Sequence, residues 1–167
     1  MSDNGAMSSL PDIRAFLDRR RFAMVGVSRD PKDFSRSLFR EFRQRGYDVV
    51  PVNPGVAEVD GVAEVDGVAC AARLRDVAPR VDAALLMTNP AATGLVVEEC
   101  AQAGVDTIWI YRAVGPGAVN PSALLFCKSK GIRVIAGECP FMFLPDTGLP
   151  HRIHGFCLKL FGKYPVG

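Results

Sequence analysis

The chain has 167 residues, of which 49% are apolar and 23% charged, and its formal net charge is +2. This length is sufficient for one domain with a sizeable core, and the near-neutral charge excludes a global electrostatic case for a nucleic acid or a membrane surface as partner. The five cysteines stand singly, without a Cys-x-x-Cys pair, which argues against a disulfide framework and a zinc site and favours reduced thiols in the cytoplasm.

The N-terminal residues are predicted to form a leader and then a helix. Residues 1–8 have the composition of a disordered leader and lack the basic-then-apolar pattern of a signal peptide. Ser9 followed by Asp12 is typical of a helix start, with Ser9 as the cap. We interpret the basic triplet at residues 19–21 as a solvated helix end that complements the helix dipole.

The stretch from Phe22 to Pro54 has the pattern of a βαβ unit. An apolar run at residues 22–27 is typical of a strand buried on both faces. A polar turn and an amphipathic helix follow, Gly46 ends the helix, and residues 47–52 form the next strand. Because the first turn opens onto a helix N-terminus, where N–H groups and the helix dipole favour an anion, a nucleotide-type ligand with phosphates is the first hypothesis.

Residues 55–60 and 61–66 share the sequence Gly-Val-Ala-Glu-Val-Asp. A six-residue duplication is too short to be a solenoid repeat, whereas extra residues in a surface loop cost little closure entropy. We therefore predict a lengthened surface loop and assign no function to it.

The rest of the chain alternates strands with helices. Further strands are predicted at residues 81–87, 105–111 and 132–136, and helices at residues 71–77, 91–103 and 121–130. This alternation predicts a parallel sheet covered on both faces, with right-handed crossovers. We predict one α/β domain over residues 1–167: a doubly wound, mainly parallel five-stranded sheet, Rossmann-like, with helices on both faces and an irregular C-terminal extension at 141–167.

Ligands of such sheets bind beyond the carboxyl ends of the strands. The dinucleotide fingerprint G-x-G-x-x-G fails there, because only Gly26 is present. The second strand also ends in Asn53-Pro54 and lacks the acidic residue that would hold a ribose diol, and there is no P-loop pattern. A sugar that carries a phosphate suits a site without that acid, and Arg29, Lys32 and Arg36 are nearby cations.

Several of these segments resemble the family of CoA-binding domains. The matching residues are Val25-Gly26-Val27-Ser28, Asp30-Pro31, Gly46-Tyr47, Pro51-Val52-Asn53-Pro54, Asp66-Gly67-Val68 and Gly117-Ala118-Val119-Asn120. The members are small bacterial proteins similar to the nucleotide-binding domain of the succinyl-CoA synthetase α subunit. The resemblance covers residues 22–139 and implies a Rossmann-like fold that binds coenzyme A.

The resemblance also implies which residues contact the ligand. The backbone of Gly26, Val27 and Ser28 is expected close to the pyrophosphate, with Ser35 facing the same phosphates. The 3′-phosphate needs cations, for which Arg29, Lys32 and Arg36 are the candidates. The remaining expected binding residues are Asn53 and Pro54 beside the adenosine, Thr88, Asn89 and Pro90 at the next strand end, and Gly115 in the later glycine-rich loop.

We predict that the chain binds coenzyme A or an acyl-CoA as a non-catalytic carrier, sensor or regulatory module, and we assign no catalytic residue and no metal site. The synthetase relatives need a phosphorylatable histidine and a grasp-type nucleotide domain, whereas the two histidines here, His151 and His154, lie in the C-terminal extension. Two enzymatic alternatives stay open: an NAD(P)-dependent oxidoreductase and a thioester-handling enzyme that uses Cys139. Homo-oligomerisation through the extension is also open.

Overall fold

The described part of the chain contains eight strands and four α-helices. In the computed structural model, which describes residues 8–55, 58–59, 62–112 and 117–145, the helices are α1 (Leu10–Asp18), α2 (Phe34–Gln44), α3 (Pro90–Ala103) and α4 (Pro121–Ser129). The strands are β1 (Arg21–Val25), β2 (Asp48–Val52), β3 (Glu58–Val59), β4 (Val62–Val65), β5 (Val68–Ala69), β6 (Ala83–Leu86), β7 (Thr107–Ile110) and β8 (Arg133–Ala136).

The main sheet has five parallel strands in the order β2-β1-β6-β7-β8. The chain first moves from β1 outward to β2 and then returns to the other side of β1 to form β6. The direction of winding therefore reverses between β1 and β6, and this reversal is the place where doubly wound sheets bind their ligands. The predicted parallel, doubly wound α/β fold is confirmed.

Each face of the sheet is covered by two helices. On one face, α1 and α2 bury an aromatic cluster in which the ring of Phe16 meets Trp109 edge-on at 5.3 Å and Phe22 meets Phe42 at 5.0 Å. On the other face, α3 and α4 cover Ile108 and other apolar residues of the strands. Because the strands are buried on both faces, they read as continuous apolar runs.

Two arginines of the basic triplet at residues 19–21 form ion pairs with carboxylates at the starts of strands. The interpretation of the triplet as a solvated helix end is therefore wrong. The Arg19 guanidinium lies 2.9 Å from Asp82 and 2.7 Å from Asp106, which flank the starts of β6 and β7. Arg21 pairs with Asp48 at the start of β2. The carboxylates are supplied by loops distant in sequence, which the local pattern of the triplet cannot indicate.

The described residues of the duplicated hexapeptide, together with the residues after it, form a second, antiparallel sheet and not the predicted loop. Its strands β3, β4 and β5 are adjacent in the order of the chain. Glu58 pairs with Ala63 across the first hairpin, and Glu64 pairs with Ala69 across the second. The sequence duplication is therefore also a duplication of one β-hairpin.

The turn between β4 and β5 shows why this segment forms hairpins. Asp66 and Gly67 connect the two strands, and both have positive φ, 49° and 74°. A two-residue Asp-Gly turn between apolar strands is a strong hairpin signal, because its twist matches that of the paired strands. The small sheet is joined to the edge of β2 by the N–H of Ala71, which donates to the Pro51 carbonyl at 3.0 Å.

Two smaller expectations also change. The predicted helix at residues 71–77 is reduced to one 3₁₀ turn at Leu74–Asp76, since so short a segment cannot support an α-helix against its nucleation cost. Ser8, which the sequence analysis places in the leader, is buried, and its hydroxyl donates to the Ala136 carbonyl at 3.1 Å and accepts from the Ala136 N–H at 2.9 Å. Nothing among the described helices is long and apolar enough to cross a membrane.

Candidate functional site

The turn after β1 packs directly against the end of β6 at the reversal of the sheet. Gly26 has φ +90°, and a Cβ built on it would lie 3.1 Å from the backbone C and O atoms of Met87. The Gly26 N–H donates to the Val52 carbonyl at 2.8 Å, and the Met87 N–H donates to the Val25 carbonyl at 2.8 Å. Both the conformation and the close approach therefore require glycine at position 26.

Asn53 fixes this turn from the side of β2. Its Nδ2 donates to the Val27 carbonyl at 2.7 Å, and its Oδ1 accepts from the Gly55 N–H at 2.7 Å. Both ends of the amide are thus engaged within the protein, and Pro54 beside it is exposed. The structure brings Asn53 to the predicted corner, where it holds the backbone of the β1 turn in place.

Ser28, Ser35 and Asp33 form a hydrogen-bonded relay at the start of α2. The Ser28 N–H donates to the Ser35 Oγ at 2.9 Å, and this hydroxyl donates to the Asp33 Oδ1 at 2.5 Å. The Asp33 Oδ1 also accepts from the Ser35 N–H at 2.8 Å and so caps the helix. Because Ser35 is only 3% exposed, its hydroxyl serves the turn from inside and does not face solvent.

The loop from residue 28 to residue 33 is ordered by its own short-range hydrogen bonds. The Ser28 Oγ accepts from the Asp30 N–H at 3.1 Å, and the Asp30 Oδ1 accepts from the Lys32 N–H at 2.9 Å. Such side-chain turns set the shape of a loop before any ligand arrives. The loop presents Arg29 and Lys32 to solvent, and within the described part of the chain neither has an ion-pair partner.

Two backbone N–H groups of this corner differ in their access to solvent, because Arg29 is exposed whereas Val27 is fully buried. Among the described residues, no acceptor is found for the N–H groups of Val27 and Arg29. They flank the Ser28 N–H, which Ser35 occupies. Of the three, the Arg29 N–H is the one that combines an exposed residue with the lack of a described acceptor.

Arg36, the third candidate cation, is committed inside the protein. It is 8% exposed, and its guanidinium pairs with both oxygens of Asp66. The hydrogen bonds from Arg36, together with those from Arg40, hold the pKa of Asp66 below its ordinary value. Arg36 is thus brought to the corner, but as a fixed, paired group.

The end of β6 leads directly into the cap of α3. The Thr88 Oγ1 lies 2.8 Å from the Thr93 Oγ1, and the Asn89 Oδ1 accepts from the Ala92 N–H at 2.9 Å. Pro90 is the first residue of α3, where its missing N–H costs nothing. These three predicted site residues line the edge next to Gly26, whereas Gly115 lies outside the described residues.

An aromatic group and a buried cysteine lie farther along the same edge. The rings of Phe34 and Tyr111 are stacked with centroids 5.3 Å apart. Cys139 follows β8 and is 7% exposed, and burial raises the pKa of its thiol to about 11. Since the thiolate is the nucleophilic form, this environment does not activate Cys139 at neutral pH.

The sequence analysis missed Asp66 and Arg40, whose side chains reach the corner from the small sheet and from α2. The signal for Asp66 was present in the Asp66-Gly67 turn, but its partners lie some thirty residues earlier. Within residues 8–55, 58–59, 62–112 and 117–145, no three His, Cys, Asp or Glu side chains are grouped as metal ligands. His151 and His154 lie outside the described residues.

The chain is similar to known proteins over most of its length. The model of the family described as "CoA binding domain" matches residues 20–145. The uncharacterized protein YneT of Bacillus subtilis (strain 168) is 28% identical over 132 residues, which are 78% of this chain and 90% of that protein.

Solved structures agree with the family match. A hypothetical protein from Pyrococcus horikoshii OT3 has a TM-score of 0.68 and 26% identity, and the match covers 84% of this chain and 91% of that one. The dinucleotide-forming acetyl-coenzyme A synthetase 1 of Ca. Korarchaeum cryptofilum, in its apo form, has a TM-score of 0.58 and 26% identity. That match covers 72% of this chain but 26% of the synthetase chain, so the likeness is to one part of the larger enzyme.

Proposed function

Because the chain belongs to the family of CoA-binding domains, we propose that it binds coenzyme A or an acyl-CoA and acts as a carrier, sensor or regulatory module without catalysing a reaction. The observation that carries the proposal is the corner after β1. It lies at the winding reversal, it has a glycine in close contact with the end of β6, and the N–H group of the exposed Arg29 lacks a described acceptor.

We assign the pyrophosphate to this corner. The Arg29 N–H is the donor for its oxygens, and the Ser28 N–H, held by Ser35, keeps the turn in shape beside it. Hydrogen bonds from backbone N–H groups to an anion are charge-assisted and stronger than bonds between neutral groups. The absence of a side chain at Gly26 lets the turn pack against the Met87 backbone, which holds the turn at the end of β6.

The 3′-phosphate is assigned to Arg29 and Lys32. Both side chains are exposed on an ordered loop, so they can turn toward a phosphate without breaking a described ion pair. Arg36 is excluded from this role because its nitrogens already serve Asp66 and the loop carbonyls. We assign to it the positioning of the loop.

We assign the rest of the ligand to the two sides of this corner along the sheet edge. β2 lies on one side of the corner, so the adenosine borders Asn53 and Pro54. β6, β7 and β8 lie on the other side at about 4.8 Å per strand. The pantetheine arm therefore passes Thr88 and leads toward Tyr111 and Cys139.

The proposal that the protein catalyses no reaction rests on Cys139, toward which the pantetheine arm leads. The raised pKa of Cys139 leaves its thiol protonated at neutral pH, and a thiol needs a base within hydrogen-bond reach to become a nucleophile. Among the described residues the cysteines are free thiols, which suits a reducing cytoplasm. Incubation with acetyl-CoA and a thiol reporter should give no turnover, and turnover that disappears in Cys139→Ser would favour the thioester-handling enzyme.

Calorimetric titration against a ligand panel tests the binding proposal. CoA and acetyl-CoA should bind, whereas NAD, NADP and ATP should bind at least about tenfold more weakly, a difference of about 1.4 kcal/mol. NAD or NADP binding as tight as CoA binding would favour the oxidoreductase, and no heat with CoA at millimolar concentration would reject the proposal.

A further inference from the structure

One carboxylate holds two arginines of α2. The Asp66 Oδ2 accepts from the Arg36 Nε at 3.1 Å and from the Arg40 Nε at 2.9 Å. The other oxygen, Oδ1, accepts from the Nη2 atoms of both arginines. Asp66 lies in the hairpin turn of the small sheet, so this contact joins the duplicated segment to the helix that follows the binding loop.

The same two arginines hold the backbone of the binding loop. The Arg36 Nη1 donates to the Ser28 carbonyl at 3.2 Å and to the Arg29 carbonyl at 3.4 Å. The Arg40 Nη2 donates to the Pro31 carbonyl at 3.0 Å. Three carbonyls of one short loop are therefore fixed by two guanidinium groups, and both groups are fixed by Asp66.

We propose that Asp66 is a positioning residue for the ligand: through Arg36 and Arg40 it holds the loop at residues 28–32 in the shape that binds the phosphates. This inference rests on the proposed binding of CoA at that loop. A loop that is ordered in advance loses less conformational entropy when the ligand binds, and affinity rises accordingly. The small sheet, which carries Asp66, would then contribute to ligand affinity.

The alternative is that Asp66 competes with the ligand, by pairing with Arg36 and Arg40 where a phosphate would otherwise bind. The geometry favours positioning, because all three nitrogens of Arg36 have partners and this residue is 8% exposed. The two roles predict opposite changes in CoA affinity when the carboxylate is removed. Loss of the carboxylate weakens CoA binding if Asp66 positions the loop, and strengthens it if Asp66 competes.

The repeat supplies a second copy of this residue. Asp60-Gly61 has the same neighbours as Asp66-Gly67, because the six-residue period continues through Val68 and Ala69. Six is an even number, so a slide of the strand by one copy keeps every side chain on the same face of the small sheet. A test must therefore remove both aspartates, with the single change at Asp60, in the first copy of the repeat, as its control.

The experiment compares Asp60→Asn with the double variant Asp60→Asn/Asp66→Asn. Calorimetry should give a CoA Kd near that of the unmodified protein for the single variant and a Kd about tenfold weaker for the double variant. Hydrogen exchange should show faster exchange of the amides at residues 28–32 in the double variant, with unchanged protection in β6 and β7. Restoring a carboxylate as Asp66→Glu in the Asp60→Asn background should recover part of the affinity.

The titrations distinguish a failure of the proposed CoA binding from a failure of the positioning role of Asp66. If the unmodified protein fails to bind CoA, the proposed function fails. If it binds CoA and the double variant binds as well as Asp60→Asn or better, the positioning role of Asp66 is rejected while the proposed function stands.

A second pair of variants covers the case in which the double variant does not fold. Arg40→Gln removes the donor to the Pro31 carbonyl at a side chain that is 39% exposed. Arg43→Gln on the same helix is the control, because Arg43 contacts the Phe39 ring and is exposed to solvent. Arg40→Gln should weaken CoA binding several-fold and Arg43→Gln should not; equal affinities would overturn the proposal.

Discussion

The Ser28 N–H lies 2.9 Å from the Ser35 Oγ, to which it donates, and so the middle amide of the binding corner is satisfied by the protein itself. The Ser35 hydroxyl in turn donates to the Asp33 carboxylate, which also caps α2. The helix N-terminus that the sequence offers to a phosphate therefore already holds a carboxylate. We therefore expect an anion at this corner to be bound by the turn that precedes the helix more than by the helix end.

This relay predicts the effect of removing the Ser35 hydroxyl. Ser35→Ala leaves the Ser28 N–H without its acceptor and should lower the free energy of unfolding by about 1–2 kcal/mol, measured by urea denaturation. The CoA affinity should fall as well, because the turn loses its internal support. Ser37→Ala, at an exposed position two residues later, is the matched control and should change neither quantity.

Gly26 should tolerate no side chain. Alanine there combines a φ of +90° with a Cβ placed 3.1 Å from the Met87 backbone, so Gly26→Ala should cost about 1–3 kcal/mol of stability and abolish measurable CoA binding. Gly46→Ala has a similar φ of +78° but open space around the Cβ. It should cost about 1 kcal/mol and leave binding intact. Full CoA binding by Gly26→Ala would remove this turn from the binding site.

The loop cations should distinguish CoA from dephospho-CoA. The unmodified protein should bind CoA about tenfold more tightly, since a charge-assisted contact to the 3′-phosphate contributes about 1.5–3 kcal/mol before solvent screening. Arg29→Ala/Lys32→Ala should reduce this ratio toward one. Titration of both ligands against both proteins is the measurement, and a ratio that survives the double change would refute the assignment of the cations.

Stability should fall in acid partly through Asp66. The hydrogen bond from Arg36 is the main cause that lowers the pKa of this carboxyl below its ordinary value of 3.8. A carboxyl whose pKa is lower in the folded state stabilises the fold fully above its unfolded pKa, and this contribution is lost as the pH falls through the folded pKa. Urea denaturation at pH 6, 4 and 3 should therefore show a smaller loss of stability toward pH 3 for Asp60→Asn/Asp66→Asn than for Asp60→Asn, since the repeat can replace Asp66 when it is changed alone. Parallel losses would show that Asp66 is not a source of the acid sensitivity.

The sequence predicted those parts of the fold that depend on local pattern. Apolar runs between turn residues placed β1, β2, β6, β7 and β8, and their alternation with amphipathic segments predicted the doubly wound sheet. The Asp66-Gly67 turn carried a comparable local signal. Each Asp-Gly pair spans the end of one copy and the residue that follows it, so the hexapeptide taken by itself does not contain the turn.

The unpredicted parts of the site depend on contacts between distant residues. Arg29 and Arg36 have the same residue type and lie on the same short stretch, yet one is exposed and the other is paired with Asp66. No local pattern separates them, because the difference comes from a hairpin thirty residues away. The same holds for Arg19, whose partners lie more than sixty residues later.

A crystal structure of the protein with CoA bound tests the central claim most directly. We expect diphosphate density at the Gly26 corner within hydrogen-bond distance of the Arg29 N–H group, with the 3′-phosphate beside Arg29 or Lys32 and the Ser28–Ser35 bond intact. Density for the bound ligand elsewhere, with no phosphate at the Gly26 corner, would contradict it.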